Sequence, residues 1–207
     1  MDIGAYGRRS DGGIFGDSVI GRNFDSQRMN VPKPAAVENG RTLPFILVGD
    51  EAFPLKPYLL RPYPGKNGLT PQQDIFNYRL SRARRMVENT FGILASQWRV
   101  YRKPIIALPQ TAISIVQATV CLHNWLRKED IGRNIYVPLN MIDEESADLN
   151  TFQPGTWRRI MEDGCAFQDI TNCGTNTSTR YCMVIRDKFR DYFCNEGSIP
   201  WQFNRHK

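Results

Sequence analysis

The chain has 207 residues, 41% of them hydrophobic and 11% aromatic, which is enough apolar material for one ordinary folded domain with extensions. No run approaches the roughly 18–20 apolar residues of a membrane span, and the start, Met1-Asp2-Ile3-Gly4-Ala5-Tyr6-Gly7, has neither the basic nor the apolar region of a secretory leader, so membrane insertion and secretion are not expected. A net charge of +6 and a pI near 9.2 point instead to an anionic partner.

In chain order, Ser10-Asp11-Gly12-Gly13 to Phe15 is too rich in glycine for a strand interior and reads as the end of a strand followed by a loop. Pro32, Pro34 and Gly40 mark a connector before the apolar run Phe45-Ile46-Leu47-Val48, whose bounded length predicts a fully buried strand ending at Gly49-Asp50. Five prolines between Pro54 and Pro71 predict an irregular surface loop. A long helix is expected over about Asp74 to Tyr101, with Leu80, Ala83, Val87, Phe91, Leu94, Trp98 and Tyr101 along one stripe. A second helix, over about Pro109 to Arg127, is apolar nearly all round and is expected to be buried. Glu129 to Asp163 carries eight acids against three arginines and reads as a surface segment, as does the polar run Cys173 to Thr179. A last helix is expected over Thr179 to Cys194, with Val184, Phe189, Tyr192 and Phe193 on its apolar side. The five cysteines are odd in number, widely spaced and without a Cys-x-x-Cys pair, so they read as reduced, intracellular and structural rather than as a disulfide framework or zinc site.

Charge is concentrated on the long helix. Between Asn77 and Lys103 stand seven cations against Glu88 alone, a net of +6 that equals the charge of the whole chain. Arg79, Arg82, Arg84 and Arg85 would repel one another on a solvated face, and phosphates are their natural partners. Two acids stand out beside them. Asp50 is either a turn aspartate satisfied by backbone amides or, at the C-terminal end of a buried strand where Gly49 permits close approach, a functional carboxylate. Glu88 is either a helix-surface partner of Arg84 or Arg85 or a carboxylate placed at the margin of the apolar stripe. Together they are suited to a hard divalent cation, to which a third acid would have to be added. His123, beside Asn124, reads as a core histidine with a hydrogen-bond partner.

Several strings then combine. Gly49-Asp50-Glu51-Ala52-Phe53-Pro54-Leu55, Leu60-Arg61-Pro62-Tyr63-Pro64-Gly65, Phe76-Asn77-Tyr78-Arg79-Leu80-Ser81-Arg82-Ala83-Arg84-Arg85, Val87-Glu88-Asn89-Thr90-Phe91-Gly92 and Leu122-His123-Asn124 resemble, in order and spacing, the Harbinger-type DDE transposases and their domesticated nuclease relatives. The opening Asp2-Ile3-Gly4-Ala5-Tyr6-Gly7 and the closing Ile199-Pro200-Trp201-Gln202 look like family segments as well. The resemblance implies an α/β, RNase H-like mixed sheet with flanking helices. In such a fold two strand aspartates and one helix glutamate hold two divalent ions, Mg²⁺ or Mn²⁺, for phosphodiester cleavage. Asp50 would be the second acid and Glu88 the third. The family carries its first aspartate upstream of the region resembling residue 1, and Asp2 and Asp11 fall in a segment that the family places after its first two strands, which argues against either as that acid.

The expected organisation is therefore a partial nuclease domain over 1–130, an acidic, partly irregular surface segment over 131–178, and a C-terminal helix and tail over 179–207. The expected function is that of a metal-dependent DNA endonuclease derived from a transposase, inactive or weak where the first strand and first acid are missing. The alternative is a non-catalytic module that binds nucleic acid or protein. A metal hydrolase of small phosphorylated molecules is disfavoured by the long basic helix, which a small substrate does not need. DNA, an accessory DNA-binding protein and a second copy paired along exposed sheet edges are the expected partners, in the nucleus or alternatively the cytoplasm.

Overall fold

The computed structural model describes residues 3–5, 9–37, 40–65, 68–145, 151–162 and 178–206. It is a mixed helix and small-sheet architecture in two compact units, one formed by Gly4–Arg84 with Ile170–Lys207 and the other by Arg85–Asp169.

The first unit opens on two short helices, α1 (Asp11–Asp17) and α2 (Val19–Asp25), where a strand end and loop were expected. Side-chain caps explain the difference. Ser10 Oγ accepts the Gly13 N–H at 3.3 Å, and Ser18 serves both helices, accepting the Gly21 N–H at 2.9 Å and donating to Phe15 O at 2.6 Å. These bonds satisfy amides that helix ends leave open and offset the low helix propensity of glycine.

Strands β1 (Ala35–Ala36) and β2 (Thr42–Leu43) pair antiparallel, and β3 (Leu47–Val48) pairs parallel with β4 (Leu59–Leu60), Leu47 opposite Leu59 and Val48 opposite Leu60. The buried strand expected from Phe45 is thus only two residues long and half-buried, with Phe45 exposed. Conversely, the proline-rich stretch is not wholly a surface loop. Its prolines shape the turns while Leu55, Leu59, Leu60 and Tyr63 face inward. With Leu43, Phe76, Leu80, Cys182, Ile185 and Phe189 most of them form the main core of this unit.

Helix α3 (Pro71–Gln97) starts three residues earlier than its apolar pattern suggests, because Thr70 and Gln73 form a reciprocal capping box. Gln73 N–H reaches Thr70 Oγ1 at 3.3 Å, and Thr70 N–H reaches Gln73 Oε1 at 3.0 Å. It stops at Gln97, Trp98 being extended, and a 3₁₀ turn follows over Arg99–Arg102. Phe76 and Leu80 are buried in the first unit, Ile93, Leu94 and Ala95 in the second, while Val87 and Phe91 on the expected stripe are exposed.

In the second unit α4 (Pro109–Glu129) is not buried all round. Only Thr119 and His123 are fully covered, and Leu122 and Trp125 face solvent. The packed side is fixed by polar pairs: Tyr101 OH bonds Thr119 Oγ1, and His123 Nδ1 lies 2.9 Å from Tyr136 OH, which accepts Trp98 Nε1–H at 3.0 Å. Beyond α4 come the antiparallel pair β5 (Glu144–Glu145) and β6 (Phe152–Gln153) and the short α5 (Trp157–Glu162). Val137, Met141 and Trp157 pack on Ile93.

The chain returns to the first unit with α6 (Arg180–Cys194), capped by Thr179, whose side chain accepts the Cys182 N–H. It buries Cys182, Ile185 and Phe189 and leaves Val184 exposed, one position from the expected apolar side. A 3₁₀ segment, Pro200–His206, follows. Cys121, Cys182 and Cys194 are free thiols, while Asp2, Cys165, Cys173 and the polar run 173–177 lie outside the described residues. No helix among the described residues is long and apolar enough to cross a membrane.

Candidate active site

Asp50 sits directly after β3, where Gly49 lets the chain fold tightly under a ring: a Cβ on Gly49 would stand 2.9 Å from Phe53 Cγ. The Asp50 carboxylate then closes its own turn, Oδ1 accepting the Ala52 N–H at 2.9 Å. Its other oxygen, Oδ2, lies 3.4 Å from Arg84 Nη2 on α3. One carboxylate oxygen is thus held by backbone and one by a cation, and the side chain keeps 35% of its surface open.

In the second unit, Glu88 is also half-exposed, at 42%, with Arg158 Nη2 3.9 Å away. Arg158 is gripped from the other side by Asp143, whose side chain is fully buried. Arg158 Nε is 2.9 Å from Oδ1 and Nη2 meets Oδ2, the bidentate fork that suits a guanidinium to a carboxylate. Gly155 N–H adds a third bond to Asp143 at 2.8 Å. Burial would raise the pKa of Asp143, but the Arg158 fork and the Gly155 amide outweigh it and hold the carboxyl below its ordinary value. Arg158 shifts the other way, its charge favoured by the same pair.

The next residue of α3 completes the arrangement. Asn89 is buried, accepts both Trp157 Nε1–H and the Asp143 N–H at 3.0 Å, and directs its own amide to Asp143 O at 3.4 Å. One turn on, Gly92 leaves room for the indole, since a Cβ there would stand 2.3 Å from Trp157 Cδ2. Arg158 also lies over the Trp157 ring, 4.5 Å from its centre. Glu88-Asn89-Thr90-Phe91-Gly92 is therefore a stretch of helix clasped at Asn89 and Gly92 with Glu88 at its open side.

The four arginines proposed for phosphate contact are engaged in different ways. Arg79 donates to Gly197 O at 3.0 Å and Gln202 Oε1 at 3.1 Å and lies over Phe193; burial lowers its proton affinity. Arg82 lies over the rings of Tyr78 and Trp201. Arg84 holds Asp50, and Arg85 makes an ion pair with Glu145 at 2.9 Å. The expected mutual repulsion is thus relieved inside the protein by two acids, by aromatic faces and by carbonyl oxygens. Asp50 and Arg84 belong to the first unit, Arg85 and Glu88 to the second. Among the described residues no group of three or more His, Cys, Asp or Glu side chains converges as a metal cluster. Asp11, in the first turn of α1, is likewise no part of such a group.

Asn89, Asp143, Trp157 and Arg158 were not singled out by sequence. Asn89 lies inside a recognised string, but Asp143 and Arg158 sit in a segment whose composition speaks only of solubility.

The region 1–124 matches a family described as DDE superfamily endonuclease. Over 198 residues the chain is 39% identical to an Arabidopsis thaliana protein named Protein ALP1-like, an alignment covering 90% of this chain and 42% of that protein. No solved structure matches significantly.

Proposed function

The chain belongs to the DDE superfamily endonucleases, and from that membership we propose that it is a transposase-derived nuclease domain of the Harbinger type. It acts on DNA in the nucleus with an RNase H-like arrangement of its acids. Asp50 and Glu88 are its divalent-cation ligands, for Mg²⁺ or Mn²⁺. The donor chemistry fits: two carboxylates whose oxygens remain partly open to solvent suit a hard cation that keeps several waters, whereas the buried, forked Asp143 does not. When bound, such ions supply Lewis acidity for attack on a phosphodiester and for stabilising the leaving oxygen.

The protein's own part is positional. The Ala52 amide holds one oxygen of Asp50, and Arg84 and Arg158 balance the charge of the two acids that would hold the cation. Arg82 and Arg84, whose partners are aromatic faces and a half-exposed acid, reach backbone phosphates at least cost; Arg79 and Arg85 must give up more enclosed bonds to do so. The chain spans 42% of the Arabidopsis protein's length, so target choice, an accessory DNA-binding protein and self-association are proposed for the longer assembly.

The observation that carries this reading is the match of residues 1–124 to the endonuclease family together with the built turn that presents Asp50. The test is nicking of supercoiled plasmid with Mn²⁺ or Mg²⁺, compared with Asp50→Ala and Glu88→Ala. Metal-dependent nicking lost in both variants supports it. A second reading, a non-catalytic DNA-binding module, is favoured by the absence of a three-acid cluster among the described residues. That module would show salt-dependent DNA binding without nicking, before and after either substitution.

A further inference from the structure

A groove of about 730 Å³ opens in the first unit, and none of its lining residues belongs to the candidate active site. Its lining includes Phe24, Val31, Phe45 and Tyr58, with Tyr181 and Val184 of α6. Four of these six are large apolar side chains left in water, Phe45 at 50% and Tyr181 at 65% exposure among them. Contiguous apolar surface of this kind on a folded unit marks a place where something docks.

The charges around it say what. Lys188 lines the groove, Lys33 stands between the lining Pro32 and Pro34, Arg28 between the lining Gln27 and Met29, and Arg180 precedes Tyr181. None of these four cations forms an ion pair among the described residues. Asp25, next in sequence to the lining Phe24, is already taken by Lys56 at 3.0 Å and by Tyr58 OH at 2.7 Å. On α6 the acids are also engaged, Asp187 by Arg190 and Tyr63, and Asp191 by Arg190. An apolar groove lined by one cation, with three more next in sequence to its lining residues, is complementary to a partner of the opposite pattern.

We propose that this groove docks an acidic peptide segment carrying two or three apolar anchor residues. Nucleic acid also offers negative charge, but the lining suits it less. Phe24 and Tyr58 stack on each other, centroids 4.9 Å apart and planes 23° from parallel, so those faces are already used. Much of the remainder is proline and branched aliphatic surface, which neither stacks on a base nor reads its edge. Apolar anchors would supply the affinity, and the cations the encounter rate and salt dependence.

The test is selection of a random dodecapeptide display library on the whole chain, followed by binding of each selected synthetic peptide to wild type, to Tyr181→Ala/Val184→Glu and to Lys33→Glu/Lys188→Glu. All four positions are exposed, and circular dichroism checks that both variants keep the fold. Selected peptides are expected to be rich in Asp or Glu with Leu, Phe or Trp, to lose at least about tenfold in affinity to the first variant, and to weaken several-fold with the second or with added salt. No selected peptides, peptides without acidic bias, or binding indifferent to both variants would overturn the proposal. So would a single-stranded oligothymidine whose binding is what the same variants abolish.

Discussion

Asp143 is the residue whose surroundings decide most about the second unit. Its side chain is fully buried and its charge is answered by one guanidinium and one backbone amide. Arg158→Ala leaves that carboxylate without its cation, and breaking a buried pair from one side costs about 3 kcal/mol. A loss of that order in urea denaturation is expected, with Arg158→Lys recovering part of it by restoring charge without the fork. Because the folded Asp143 is more acidic than an unfolded aspartate, its contribution is complete at neutral pH and disappears as the pH falls below about 4, through the folded value. Asp143→Asn should flatten that acid limb. His123 acts in a different window. Burial first, and Arg127 second, lower its proton affinity, so the folded state holds it neutral against Tyr136. Stability should therefore be full above about pH 6.5 and decline as the pH drops below it. His123→Asn, measured by thermal unfolding from about pH 7.5 to about pH 5.5, is expected to show about half that decline or less.

At the scale of elements, glycines in helices give opposite expectations according to what stands next to them. Gly92→Ala in α3 drives a methyl into the Trp157 indole and should destabilise the protein by about 1–3 kcal/mol despite the better helix propensity of alanine. Gly16→Ala in α1 meets nothing within 4 Å and should be neutral or stabilising by up to about 1 kcal/mol. Differential scanning calorimetry of the two variants reads both signs. The same elements show what a single sequence can carry. The bounds of α6 were legible to within a residue, and the body of α3 was legible although its two ends were not. The opening helices were not, because their stability comes from Ser10 and Ser18 bonding to neighbouring amides, which no apolar period records. Helix α4 was misjudged because an even spread of apolar residues does not reveal which of them meet a partner. In the candidate site, Asp50 and Glu88 were singled out by their strings, Asp50 also by its place just past a strand and Glu88 by its place beside the apolar stripe of a helix. The Asn89 to Asp143 contact, 54 residues apart, joins two segments that share no local pattern, and the acidic composition around Asp143 conceals a buried ion pair.

For the whole molecule, the charge of +6 is less available than its sum suggests. Arg79 is committed to Gly197, Gln202 and Phe193, while Arg82 lies on aromatic faces. Two different responses follow for DNA binding measured across salt concentrations. Arg82→Ala should reduce the slope of log affinity against log salt by about one with little change in stability, as expected for one lost phosphate contact. Arg79→Ala should mainly lower stability, by about 1–3 kcal/mol, since it strips partners from buried Gln202.

The proposal that most needs testing is that Asp50 and Glu88 are both divalent-cation ligands. Calorimetric titration of the purified chain with Mn²⁺, repeated on Asp50→Ala and Glu88→Ala with folding checked by circular dichroism, tests it most directly. Saturable binding by the wild type that either substitution abolishes is expected. Binding that survives both substitutions, or a folded wild type that takes up no cation, would contradict it.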